Sequence, residues 1–221
     1  MTLNVVGVIG LGIMGSAMAA NLLKAGMTVV GYDVIEERVD ALTAKGGRAA
    51  SSPGALAAQA PIVITSLPSA QALAQVIGGE DGLVSSRRQG LIVAETSTLP
   101  IEDKQQGHDA LKAADMILLD CPLSGTGSQA ATKDLAVYAS GDEAAFQACR
   151  AVFDGFARAT YHLGEFGNGS KMKFVANLLV AIHNVSAAEA FVLGMKAGLE
   201  AETIYQVIGD GAGSSRMFQV R

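Results

Sequence analysis

The stretch GNGSKMKFVAN, residues 167–177, sets Lys171 and Lys173 just ahead of residues 174–193, where Glu189 is the only formal charge. On a helix, residues 173 and 177 are four apart and share a face, whereas 171 lies about 200° from 173. Asn184, a further seven residues on, returns to within about 20° of the face of Asn177. Lys173, Asn177 and Asn184 therefore form a polar stripe on an otherwise apolar helix. Buried amides need partners, so such a stripe faces another polar element or a ligand. A lone lysine in a first turn can simply snorkel to water. An Asn one turn later weakens that reading. Lys171 faces elsewhere and reads as a surface or helix-end charge.

A second group of residues has nucleotide chemistry. GLGIMG supplies Gly10, Gly12 and Gly15 between an apolar run and a helical one, with Leu11, Ile13 and Met14 completing the turn. Gly10 permits the tight turn, Gly12 lets backbone approach a pyrophosphate, and Gly15 lets helix and strand pack closely. The helix N-terminus then offers N–H groups and a positive dipole end to the phosphates. The next apolar run ends in Asp33, placed to accept both ribose hydroxyls of NAD and to repel the 2′-phosphate of NADP. The alternative for Asp33 is a cap on the following helix. Arg38 can in principle reach a phosphate, but Asp33 is expected to dominate. Leu67 and Pro68 in SLPS, and Ser97 and Thr98 in TST, follow two further apolar runs and fall at the carboxyl edge of a sheet, where ligands of open α/β folds bind. Each segment alone also reads as a helix cap.

The elements that must position these residues are legible as a rhythm. NVVGVIG, TVVGYD, PIVITSL, LIVAET and MILLDC are short apolar strands separated by helical stretches. Such runs suit a parallel sheet covered on both faces, and the order implies a doubly wound α/β fold with right-handed crossovers. LAVYAS and RATYHL flank the helix DEAAFQACRAVFDGF and are expected to extend the same sheet. After Gly167 the pattern becomes helical, with one long helix over residues 169–197 and another in EAETIYQVIGDG. The expected division is a dinucleotide-binding Rossmann domain over residues 1–165. An interdomain helix and the beginning of an all-helical domain follow over 166–221.

Composition excludes some classes. The net charge of −5 opposes nucleic-acid binding, and half the residues are hydrophobic, which opposes disorder. Cys121 and Cys149 lack metal-ligand spacing and read as buried free thiols in a reducing compartment, so a cytoplasmic location is expected. The N-terminus has no basic n-region and reads as a strand. The stretch after Lys173 approaches transmembrane length, but Asn177, His183, Asn184, Ser186 and Glu189 interrupt it, so a buried helix and no membrane partner are expected.

Four stretches together resemble the β-hydroxyacid dehydrogenases: GLGIMGSAMAANLLKAG, ETSTLP, DCPLSGTGSQAATKDLAVYASGD and GNGSKMKFVAN. The resemblance runs along the whole chain. It implies a Rossmann domain, a long interdomain helix and a helical C-terminal domain. From its G-x-G-x-x-x-K-x-x-x-N pattern it implies Lys173 as acid/base and Asn177 as the residue that orients substrate. From SGT it implies that Ser124, Gly125 and Thr126 bind a substrate carboxylate. Thr126 stands where a second Gly is usual, Ala176 where a second Asn is common, Lys133 where a Gly is usual and Glu95 where an Asp is usual. Thr126 and Ala176 bear on substrate identity more than on reaction type.

The chemistry fits this mapping. Removing a hydride from a C–OH carbon requires the hydroxyl proton to leave with it, so a base must touch that oxygen. A desolvated lysine can titrate low enough to serve. Backbone N–H groups and hydroxyls of the SGT loop can hold a carboxylate without an arginine. No His, Cys or Asp cluster has metal spacing, so metal-free transfer between NAD and a small 3-hydroxy acid is expected, in a homo-oligomer (dimer or tetramer). The competing readings are an imine reductase-like enzyme and a non-catalytic dinucleotide module that recognises a protein; retention of Lys173 speaks against both. The long helix is also expected to expose apolar surface that one Rossmann domain cannot cover, and the final segment, GDGAGSSRMFQVR, reads as a loop. The chain is therefore expected to be a fragment that binds NAD, self-associates and turns over poorly.

Overall fold

The computed structural model describes residues 4–220, and the chain divides into two compact units, Met1–Lys173 and Phe174–Arg221. The first unit begins with β1 (Val5–Ile9), α1 (Ile13–Lys24), β2 (Thr28–Tyr32), α2 (Glu36–Thr43) and β3 (Arg48–Ala49). It continues with α3 (Pro53–Gln59), β4 (Ile62–Thr65), α4 (Ala70–Gly78), β5 (Ile92–Glu95), α5 (Ile101–Lys112) and β6 (Ile117–Asp120). These six strands form one parallel sheet in the order β3-β2-β1-β4-β5-β6. The strand order reverses between β1 and β4, which opens the crevice where such sheets bind nucleotides. The short β3 has no counterpart in the expected strands, because its two residues are exposed and carry no apolar run.

Strands covered on both faces alternate their side chains between two cores. Val6, Val8, Ile62 and Ile64 pack with Met18 and Leu22 of α1 on one side. Ile9, Val63 and Val93 pack with Leu56, Leu73 and Leu111 on the other.

β7 (Leu123–Ser124), α6 (Gly127–Ala131), β8 (Ala136–Ala139), α7 (Glu143–Phe156) and β9 (Ala159–His162) complete the sheets of this unit. The segments LAVYAS and RATYHL do not extend the main sheet. They are β8 and β9 of a separate three-stranded sheet, β7-β8-β9, in which β7 runs antiparallel to β8. A single bridge, Asp120 to Ser140, ties it to the end of β6. Pro122 lies directly after the Asp120–Cys121 edge and has no N–H to continue a ladder, so the chain turns off there. Its carbonyl instead accepts the Tyr138 N–H at 3.0 Å.

α8 (Asn168–Lys196) starts in the first unit and runs into the second, where α9 (Ala201–Gly209) and α10 (Arg216–Val220) follow. Within the second unit Ile204 and Phe218 are buried, and Phe218 stacks on Phe191 and Tyr205. The final segment is not wholly a loop: α10 forms there, with the Ser215 hydroxyl accepting the Phe218 N–H at 3.1 Å. By length and composition α8 could cross a bilayer. Its apolar side chains Phe174, Val175, Leu178, Leu179, Ile182 and Val185 are exposed, contrary to the expected buried helix, and His183 is partly exposed.

The Asn21 amide on α1 donates to the Ala130 carbonyl of α6 at 2.8 Å in a buried setting. It is the polar fastening between the helix that follows the Gly-rich turn and the helix that follows the SGT loop. Asn21→Ala should destabilise the protein by about 0.5–1.5 kcal/mol, since a buried hydrogen bond is lost while the Ala130 carbonyl keeps the Lys133 N–H. Urea denaturation followed by far-UV circular dichroism would measure this.

Candidate active site

One row of the main sheet carries the site. Tyr32 pairs with Ile9, Ile9 with Thr65, Thr65 with Glu95, and Glu95 with Asp120. These are the last residues of β2, β1, β4, β5 and β6. Asp33, Gly10, Ser66 and Thr96 therefore leave the sheet side by side at its carboxyl edge.

The Gly-rich turn has the geometry that a dinucleotide needs. Gly10 has φ +87°, and a Cβ there would lie 2.1 Å from the Ser66 carbonyl oxygen. A Cβ on Gly15 would lie 1.8 Å from the Gly10 carbonyl oxygen, so helix and turn could not close. Around Gly12 the space is open. Gly12 is also the N-cap of α1 and has no side-chain acceptor to satisfy the first N–H groups. Those donors are left for a phosphate, and the residues present fit a bound NAD pyrophosphate.

Asp33 does not cap α2; it braces the turn. One carboxylate oxygen accepts the Leu11 N–H at 2.7 Å and the other accepts the Ile35 N–H at 2.9 Å. Arg38 sits at 3.3 Å from the same carboxylate, so its charge is held there.

Leu67 and Pro68 are fixed from the neighbouring strand. The Ser97 hydroxyl accepts the Leu67 N–H at 2.8 Å, while the Ser97 N–H donates to Glu95 at 2.6 Å. Thr65 donates its hydroxyl to the other Glu95 oxygen. Ser69 does cap α4, whereas Ser97 caps no helix and Thr98 is exposed. Burial raises the Glu95 carboxyl above its ordinary range, opposed by the charge of Lys104 and by its hydrogen bonds to Ser97 and Thr65.

Lys173 lies near the start of α8, where Asp120, Lys104, Ser140 and Ser170 converge. Asp120, fully buried, accepts from the Lys104 ammonium at 2.8 Å and from the Ser170 N–H and hydroxyl, each at 2.8 Å. Ser140 accepts the Gly169 N–H at 2.9 Å and donates to Asp120 at 3.3 Å. Lys104 had a readable signal: with Gly107 and Leu111 it occupies the buried face of α5, an unusual place for a lysine. Lys171 donates to Asn168 at 3.0 Å and is exposed, as expected of a helix-end charge. Lys173 is half-buried, its ammonium has no hydrogen-bond or ion-pair partner among the described residues, and burial lowers its titration below the ordinary lysine range. Asn177 is one turn further along the helix, in the second unit.

In the SGT loop, the Ser124 hydroxyl has no partner among the described residues, and Gly125 is exposed with φ +141°. Thr126 is engaged in a capping box on α6. Its N–H donates to the Gln129 side-chain oxygen at 3.0 Å, and its hydroxyl accepts the Gln129 N–H at 3.4 Å. Thr126 reaches a ligand only by exchanging one of these partners. Lys133 has φ +64°, which explains why glycine is usual there in the family the sequence resembles. Both cysteines are free and buried, and burial pushes the Cys149 thiol up to about 12, so neither offers a nucleophilic thiolate.

A Gly-rich turn that fits a dinucleotide and a half-buried lysine in the same unit are in keeping with an oxidoreductase, and the relatives agree. Residues 5–164 match the NAD-binding domain of 6-phosphogluconate dehydrogenase, and residues 167–221 match the NAD-binding model of NADP-dependent 3-hydroxyisobutyrate dehydrogenase. The chain belongs to the β-hydroxyacid dehydrogenase family. It is 34% identical to 2-(hydroxymethyl)glutarate dehydrogenase of Eubacterium barkeri over 98% of this chain and 72% of that protein. It is also 34% identical to NAD-dependent L-serine dehydrogenase of Pseudomonas aeruginosa, over 96% of this chain and 71% of that one. The structure of Mycobacterium tuberculosis 3-hydroxyisobutyrate dehydrogenase with L-serine superposes with a TM-score of 0.91 at 30% identity, covering 99% of this chain and 74% of that one.

Two substitutions test the cradle. Gly15→Ala should abolish NADH binding in a fluorescence titration, because the added methyl collides with backbone and not with a movable side chain. The wild type should bind NADH more tightly than NADPH. Asp33→Ala should narrow that gap by removing the carboxylate and releasing Arg38. Tighter NADPH binding by the wild type would overturn the reading of Asp33.

Proposed function

We propose that this protein transfers a hydride between NAD and a small 3-hydroxy acid, with Lys173 as the acid/base and with NAD preferred over NADP. The observation that carries this reading is the half-buried ammonium of Lys173, unpartnered among the described residues, whose charge burial disfavours. Bound NAD supplies the hydride acceptor. Lys173 takes the hydroxyl proton in oxidation and returns it in reduction. Asn177 orients the hydroxyl, and Ser124, Gly125 and Thr126 hold the carboxylate. The relatives named for L-serine, 3-hydroxyisobutyrate and 2-(hydroxymethyl)glutarate all act on acids that carry a hydroxyl, which favours this substrate class. On this reading residues 1–165 bind the dinucleotide, and residues 166–221 carry the interdomain helix and the beginning of a helical domain. The enzyme works as a homo-oligomer in the cytoplasm, a reducing compartment in keeping with its two free, buried thiols.

The direction of the Lys173 shift fixes the pH dependence. Oxidation needs the neutral amine, so its kcat/KM should rise with pH through the Lys173 midpoint, which lies below the ordinary lysine value. Reduction needs the ammonium and should fall over the same range. Lys173→Met should lower turnover by about 10²–10⁴-fold while leaving NADH affinity nearly unchanged. Lys171→Met should keep most of the rate. Steady-state kinetics of both variants against a panel of hydroxy acids checks the assignment, and equal losses would reduce the pair to a shared electrostatic role.

A further inference from the structure

The reaction as described uses neither Asp120 nor Lys104, yet both are almost wholly removed from water, with side-chain exposures of 0% and 1%. A buried ion pair is seldom a source of net stability, because desolvating two charges cancels most of their attraction. Its geometric consequence is more specific. Asp120 is the last residue of β6 and lies in register with Glu95, whose hydrogen bonds reach the Leu67 loop through Ser97. Its two oxygens receive both the backbone N–H and the hydroxyl of Ser170, three residues before Lys173. An anion is also favoured at a helix N-terminus. Gly169 closes the same contact: a Cβ there would lie 2.2 Å from the Tyr138 carbonyl oxygen. The first turn of α8 is therefore bolted to the sheet at one point, and Lys173 leaves the helix one turn from that bolt.

We propose that Asp120, with Lys104 as its counter-ion and Ser170 as its contact, is the positioning residue for Lys173. It sets where the amine stands relative to the nucleotide edge of the sheet and keeps it out of water. This rests on the reading of Lys173 as the acid/base. The charged groups around the bolt are Lys104 from α5, Glu95 from β5, Asp120 from β6 and Lys171 on α8 itself. The depression of Lys173 comes from burial, so releasing the turn should restore an ordinary lysine.

The test is competitive acetylation of Lys173 across pH, read by peptide mass spectrometry, alongside the pH profile of kcat and NADH binding. Ser170→Ala removes one of the two bonds from Ser170 and leaves the ion pair intact. It should raise the Lys173 midpoint toward the ordinary lysine range and lower kcat about tenfold or more, with NADH affinity unchanged. Ser170→Thr keeps the hydroxyl and should restore both readouts. Asp120→Asn, which strands the Lys104 charge, should shift the midpoint further wherever the protein still binds NADH. A Ser170→Ala protein with the wild-type midpoint and profile would overturn the proposal, even if Asp120→Asn failed to fold. A fully active Lys173→Met would instead sink the acid/base reading and leave the labelling result standing on its own.

Discussion

A carboxylate with no access to water must be compensated where it lies, or it costs several kcal/mol. Asp120 meets that requirement with a lysine from α5, the hydroxyl of Ser140 just after β8, and an N–H and a hydroxyl from the start of α8. Three separate segments converge on one side chain because none of its oxygen lone pairs can be left to solvent. The arrangement of the first unit's carboxyl edge follows from this. Once Asp120 is satisfied, the main sheet, the small sheet and the beginning of the long helix have a common reference point.

The same row of the sheet carries the Gly-rich turn and the rest of the candidate nucleotide site. Glu95, beside Asp120, is the second wholly buried carboxyl. It is satisfied by Thr65 and Ser97, which in turn hold the loop after β4. Lys104 acts on both carboxyls. The burial that makes these charges expensive also makes their hydrogen bonds strong, so this edge of the sheet is held by buried polar contacts. Asp33 is different. It is tied to the Gly-rich turn through Leu11 and shares its charge with an Arg38 that remains partly in water, a contact worth little by itself. On the proposed reading, discrimination at the ribose would depend on where Asp33 is held more than on that ion pair.

The second unit poses a different physical problem. Its portion of α8 shows apolar side chains on several faces, and among the described residues only a small cluster around Ile204, Phe191 and Phe218 is packed. A helix apolar on most sides is stable when those sides are covered. The Rossmann unit, by contrast, closes its own two cores.

Sequence pattern alone was enough for the doubly wound sheet, because strands buried on both faces must read as unbroken apolar runs. It was also enough for the tight Gly-rich turn, because Gly10 and Gly15 occupy positions that backbone atoms leave too tight for any Cβ. The difference between Lys173 and Lys171 was legible too, since helical periodicity separates their faces. Periodicity does not carry pairing partners, and there the reading fell short. β8 and β9 looked like further strands of the main sheet, since a strand's residues do not state which edge it will join. Asp120, Ser140 and Ser170 looked ordinary, and Lys104 was legible only by its place on the buried face of α5, since each is spoken for by a residue between 16 and 50 positions away. Thr126 looked like a free donor until its capping box with Gln129 formed. Sequence determined the elements and the residue types able to do chemistry, through local sterics and burial. Tertiary structure decided which of those residues stand together, because buried charges choose their partners by proximity in space.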